Sequence, residues 1–170
     1  IRKVHGKKAG KNRIEVALLI CNKKDAYGIE RAKNLGFETM IIEHSKYASR
    51  DGFDSELVRA IKAANIDLVV LAGFMRVLGA NFCDNVKAIN LHPSILPLFK
   101  GAHAIKESFE SDMQVGGITV NWVSSELDGG KIIAQKTFAR KNRTFKQWEE
   151  KIHKLEHKLL PKTIISLLKD

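Results

Sequence analysis

Apolar runs of strand length alternate with one-sided amphipathic stretches along most of the chain. IEVALLICN (14–22) is a continuous apolar run, and DAYGIERAKNLG after it reads as a one-sided helix closing on Gly36. TMIIEH (39–44) is a short β-rich run. SRDGFDSELVRAIKAAN then opens on a capping serine and repeats Phe53, Leu57, Ile61 and Ala64 at helical spacing. IDLVVLAG (66–73) is apolar on both faces, as a buried parallel strand is. KAINLHPSIL (87–96) predicts a strand and HAIKESFES (103–111) a short helix. GGITVNWVSSE (116–126) and KIIAQKTFA (131–139) predict two late strands joined through LDGG. Residues 145–170 predict a long C-terminal helix, kinked or broken at Pro161. Residues 1–13 read as a basic lead-in, the tail of a helix and its exit loop.

Strand and helix in this alternation imply an α/β chain, a Rossmann-like open, mostly parallel sheet with helices on both faces. No repeat or low-complexity linker interrupts residues 1–170, so a single domain is expected. Such sheets take ligands beyond the carboxyl ends of their strands. The loops after Cys21, Gly73 and Ile89 are therefore the places where chemistry is expected. A glycine-rich phosphate turn does not follow the first apolar run, which leads instead into CNKKDAYG.

Composition narrows the classes. The 44% apolar and 28% charged content is that of a globular chain and excludes collagen-like and disordered classes. No apolar run reaches the roughly 18 residues of a membrane span, so no membrane partner is expected. Two cysteines, Cys21 and Cys83, form no disulfide framework and no CxxC pair, which fits a reducing, cytoplasmic setting and no metal. The net charge of +10 is carried by the chain ends: residues 1–13 hold six Lys/Arg and no acid, and residues 140–170 hold nine against four acids. The middle is close to neutral. A basic stripe interleaved with stacking aromatics, the usual mark of a nucleic-acid binder, is missing from it. No nucleic-acid partner is expected, and a solvated basic surface that steers anions is the plain alternative.

The densest chemistry lies in AINLHPSILP (88–97). On an extended segment Asn90 and His92 point to one side, and Pro93 biases His92 toward extended geometry. An amide donor beside an imidazole suits acyl transfer, where the amide meets a developing oxyanion and the imidazole moves protons. The alternative is a histidine satisfied within a Pro-bounded loop. In SSELDGG (124–130), Asp128 is either an ordinary Asp-Gly turn residue or a carboxylate that orients His92, and only a meeting of the two in space decides. LAGFMRVL (71–78) sets Phe74, Met75 and Arg76 after a strand, as pocket lining or core filler. FKGAH (99–103) offers Lys100, Gly101 and His103 as an anion site or as turn chemistry. His153, Glu156 and His157 on the last helix lack a fourth metal ligand.

Taken in order, VVLAGFMRVL, INLHPSILPLFKGAHA and SSELDGGKIIAQ resemble the phosphoribosylglycinamide formyltransferases, a branch of the folate-dependent formyltransferase family. The resemblance runs from about Ile14 to Leu168. Sibling formyltetrahydrofolate hydrolases usually read HHS where this chain has HPS, with Glu-Gly in place of Gly129-Gly130. Methionyl-tRNA formyltransferases usually read HAS and carry a further domain. The resemblance implies the formyltransferase fold and transfer of a formyl group from 10-formyltetrahydrofolate, the cosubstrate, to the amine of glycinamide ribonucleotide in purine biosynthesis. A formyltetrahydrofolate hydrolase and a non-catalytic nucleotide- or RNA-binding module are the rivals.

By the same resemblance Asn90 stabilises the tetrahedral oxyanion, His92 is the proton-transferring acid, and Asp128 holds His92. Folate would meet Arg50, Met75, Arg76, Val77, Leu78 and Asn90, together with Ser124, Ser125, Glu126, Leu127 and Asp128. The ribonucleotide would meet His153, Lys154, Leu155 and Glu156. No metal is implied, and a monomer or homodimer is expected. Two departures stand out. Family members usually have histidine where GITVNWV has Asn121, which keeps a hydrogen bond but cannot titrate. They also open with a strand and an SGxGSN-like phosphate loop, and the expectation is that both precede the sequence given.

Overall fold

A computed structural model describes residues 2–5 and 12–169. Of the basic lead-in, residues 1 and 6–11 lie outside the described residues, as does residue 170. The chain divides into two compact units, one of residues 1–69 and 78–87, the other of residues 70–77 and 88–170.

The first unit begins with strands β1 (Arg2–His5) and β2 (Asn12–Glu15), paired antiparallel with Arg2 opposite Glu15. Where the tail of a helix is expected, the described residues form a pair of antiparallel strands, and the single strand expected over 14–22 is divided. Ile14 and Glu15 close β2, residues 16–18 leave the ladder, and β3 (Leu19–Cys21) begins a new one. An apolar run records burial, not the point at which a strand changes partner. β3 runs parallel to β4 (Thr39–Ile41) through helix α1 (Tyr27–Asn34), the βαβ unit that the alternation implies.

Helix α2 (Arg50–Ala63) starts where Ser49 accepts a hydrogen bond from Gly52 N at 3.1 Å, the cap read from the sequence. Its apolar face buries Phe53, Leu57 and Ile61 against this unit's core, beside helix α3 (Ala80–Asn85) and the buried Phe82. Asp54, fully buried on the same helix, accepts from Gly79 N at 2.7 Å and so fixes the start of α3.

The second unit holds the larger sheet, in the order β5 (Val69–Leu71), β6 (Ala88–His92), β7 (Val115–Trp122), β8 (Ile132–Ala139). β7 is antiparallel to both neighbours, placing Asn90 opposite Asn121 and His92 opposite Thr119. The α/β fold is the one expected, and in a sheet expected to be mostly parallel these antiparallel pairings fall at the late strands. Helix α4 (Ala104–Glu110) precedes β7, and α5 (Phe145–Leu168) follows β8.

α5 opens with a reciprocal cap: Gln147 N donates to Thr144 Oγ1 at 3.3 Å, and Thr144 N donates to Gln147 Oε1 at 3.0 Å. It continues without a break through Pro161, contrary to a break there. Proline removes one intrahelical donor, and the packed turns on either side keep the axis helical. Trp148, Ile152 and Leu155 fall on one face and bury against Ile118 and Phe138 of the sheet. Phe138 meets the Trp148 ring edge-on at 4.8 Å between centroids. Gly116 makes that approach possible, since a Cβ there would stand 2.4 Å from Trp148 Cζ2.

Candidate active site

β6 ends at His92 because Pro93 cannot donate to a ladder and holds its predecessor extended. Asn90 and His92 therefore leave the strand on one face, Asn90 half-buried and His92 only 4% exposed. Asp128 reaches the same face from the turn between β7 and β8. Its φ of 48° is left-handed, a conformation that Asp tolerates better than most residues.

The Asp128 carboxylate links the site. Oδ1 accepts from Asn90 Nδ2 at 3.2 Å, and Oδ2 lies 3.5 Å from His92 Nδ1 and accepts from Gly101 N at 2.8 Å. The question left by the sequence is thereby answered: Asp128 and His92 meet. The far nitrogen of the ring, His92 Nε2, lies 2.7 Å from the carbonyl oxygen of Phe99. A carbonyl and a carboxylate can only accept, so both ring nitrogens face acceptors. At 2.7 Å from a carbonyl, Nε2 is the donor of that hydrogen bond, and Nδ1 faces the Asp128 carboxylate. The site thus holds an amide donor, a proton-bearing imidazole and a shared carboxylate within one unit.

The two loops carrying these groups are tied together. Lys100 pairs with Glu126 at 2.7 Å, which holds the Glu126 carboxyl below its usual range. Ser124 Oγ donates to Glu126 O at 3.1 Å. Of the two readings open for FKGAH, Lys100 and Gly101 serve the loop, while His103 is exposed before α4. Ser125, Glu126 and Leu127 are exposed, Leu127 by half of its surface. Met75, Arg76 and Val77 are exposed as well, Met75 at 74%. Apolar side chains held open to solvent in these two stretches suit the face of a flat ring.

Arg50 and Leu78 belong to the first unit. Arg50 is the exposed first residue of α2, whereas Leu78 is buried and offers a ligand its backbone only. On α5, His153 Nδ1 lies 2.7 Å from Glu156 Oε2. Lys154 lines an open basic cavity of about 370 Å³ with Lys141, Arg143 and Lys151, and Leu155 is core. Asn121 is buried, its Nδ2 donates to Trp122 O at 2.9 Å, and its Oδ1 has no partner among the described residues. No three His, Cys, Asp or Glu side chains converge on a metal-sized site among the described residues. No helix among them is long and apolar enough to cross a membrane.

The carbonyl of Phe99 has no side-chain signal in the sequence, whereas Gly101 N, which meets the Asp128 carboxylate, lies in the FKGAH stretch singled out there.

Residues 2–164 match the formyl transferase family, and the chain belongs to it. It is 37% identical over 155 residues to a phosphoribosylglycinamide formyltransferase of Bacillus subtilis, covering 89% of this chain and 80% of that protein. It is 38% identical to the trifunctional purine biosynthetic protein adenosine-3 of Drosophila melanogaster, over 91% of this chain but only 12% of that much longer protein. Among solved structures, a phosphoribosylglycinamide formyltransferase from Campylobacter jejuni superposes with a TM-score of 0.88 at 60% identity, covering 90% of this chain and 80% of the other.

Proposed function

We propose that this chain is one formyltransferase domain that moves the formyl group of 10-formyltetrahydrofolate to the amine of glycinamide ribonucleotide, a step of purine biosynthesis. The observation that carries the reading is the Asp128 carboxylate shared by Asn90, His92 and Gly101 N. Relatives named for this activity support it, as does the absence of the HHS wording of the hydrolases.

The folate supplies an activated formyl carbon. The amine nitrogen forms a bond to that carbon, the bond from carbon to the folate nitrogen breaks, the amine gives up one proton and the departing nitrogen receives one. Asn90 Nδ2 donates to the oxygen on which negative charge develops, a preorganised contact that costs no reorganisation during reaction. His92 is the acid, and Asp128 fixes its ring and steadies its charge. Asn90 Nδ2 carries two hydrogens, so one keeps the 3.2 Å bond to Asp128 while the other serves the oxyanion.

On this reading Arg50 meets the acidic end of the folate. Met75, Arg76, Val77 and Leu78, with Ser124, Ser125, Glu126 and Leu127, flank its ring system. His153, Lys154, Leu155 and Glu156 form the stretch against the ribonucleotide, where the His153–Glu156 pair offers a carboxylate to an amine. The reaction calls on no metal, nucleic acid or membrane, and the protein works in the cytoplasm as a monomer or homodimer. A rate assay with and without the ribonucleotide tests the reading: formyl transfer that requires the ribonucleotide upholds it, and formate release without it assigns the chain to the hydrolases.

A further inference from the structure

The ring of His92 is held on two sides, and only the Asp128 side is accounted for by the sequence. The other side is Phe99 O, a backbone atom at the end of a loop that begins at Pro93. Phe99 has φ 55°, a left-handed conformation that a bulky residue adopts only when its surroundings enforce it. The enforcement is visible. Ser94 Oγ donates to Leu98 O at 2.7 Å and lies 3.1 Å from Phe99 O, while Leu98 N donates back to Ile95 O at 3.0 Å. Ser94 is 1% exposed, so its hydroxyl has no solvent alternative.

Ser94 is in turn anchored across the sheet. Thr119, fully buried opposite His92, donates from Oγ1 to Ser94 O at 2.7 Å. Thr119 Oγ1 itself accepts from Leu96 N at 3.0 Å and from Gln135 Nε2 at 3.0 Å. Gln135 Nε2 also reaches Leu96 O at 2.9 Å. A threonine hydroxyl has one proton to give and two lone pairs to fill, so Thr119 is completely used. Ser94 and Thr119 are buried with their hydroxyl protons engaged, while Gln135 closes the network from the exposed side of β8; loss of a buried member leaves its partners unmatched.

We infer that Ser94 is a positioning residue for His92: with Thr119 and Gln135 behind it, it fixes the Phe99 carbonyl that orients the His92 ring and keeps a proton on Nε2. The inference rests on the reading of His92 as the acid for its effect on rate, but not for its effect on the ring.

The test uses the full chain with His92 ¹⁵N-labelled in the imidazole. In the parent protein His92 Nε2 is expected to give a protonated, slowly exchanging signal. In Ser94→Ala that signal is expected to broaden or exchange rapidly, and kcat to fall about tenfold or more with KM changed less than about twofold. Gln135→Leu removes the contacts to Thr119 Oγ1 and Leu96 O from β8 while leaving Ser94 in place, and is expected to act in the same direction. It carries the test if Ser94→Ala does not fold. An unchanged ring signal in the folded variants overturns the inference, whatever happens to the rate. If the parent protein transfers no formyl group but the ring signal still responds to Ser94→Ala, the positioning stands and the proposed reaction falls.

Discussion

Asp128 Oδ2 stands 3.5 Å from His92 Nδ1, and the carboxylate is brought there by a turn in which Asp128 itself adopts the left-handed conformation. The turn that presents the carboxylate and the group it presents are therefore one residue. Asp128→Asn keeps that backbone, since asparagine tolerates the same φ, and retains an acceptor for Gly101 N. It removes the charge beside the imidazole. Turnover is expected to fall about 10²–10⁴-fold for Asp128→Asn and for His92→Ala, with circular dichroism and cooperative unfolding retained. A near-normal rate in either folded variant removes that residue from the mechanism.

The glycines separate into those that space requires and those that it does not. A Cβ on Gly130 would lie 1.7 Å from Trp122 O, a backbone atom of β7 that cannot move without breaking the ladder. Gly130→Ala is expected to cost about 3 kcal/mol, the upper end of the usual range for overpacking, read from denaturant unfolding. Gly28 lies inside α1 with nothing within 4 Å of its would-be Cβ. Gly28→Ala is expected to stabilise the fold by about 0.5–1 kcal/mol.

The Lys100–Glu126 pair makes a small, pH-dependent contribution. Hydrogen bonding and the Lys100 charge lower the Glu126 pKa in the folded protein. Its contribution is therefore present above the unfolded carboxyl value and is lost as pH falls through the lowered folded value. Both groups are solvated, so salt weakens the pair. The melting difference between the parent and Glu126→Gln should be slight at pH 7 and low salt, and should vanish in strong acid and in molar salt. A difference that grows in acid reverses the sign of the argument.

Burial raises the pKa of both thiols, Cys21 and Cys83, above the ordinary value. Less thiolate is then present at pH 7 than on an exposed cysteine. Reaction with a disulfide reagent at pH 7 should be slower for the folded protein than for the unfolded chain at both positions, and should accelerate with pH later than for a free thiol.

Much of this was legible in the chain and some was not, for definite reasons. The run Phe53, Leu57, Ile61 and the cap at Ser49 are local signals, and α2 forms where they indicate. The spacing of Asn90 and His92 is a period-two signal, and both side chains leave β6 on one face. The division of 14–22 between β2 and β3 was not legible, because apolar content is the same on either side of a change in partner. β1 carries the sequence RKVH, which has no apolar rhythm, and its pairing is set by β2 alone. The support of His92 by Phe99 was hidden for another reason: a carbonyl is present at every position, and only the fold decides which one matters.

The most direct test of the central claim is the initial rate of 10-formyltetrahydrofolate consumption by the protein, followed spectrophotometrically, with and without glycinamide ribonucleotide and with His92→Ala as control. The account predicts consumption that depends on the ribonucleotide, with the formyl group recovered on its amine, and a collapse of that rate in the variant. Consumption independent of the ribonucleotide, with formate as product, or a rate untouched by His92→Ala, would contradict it.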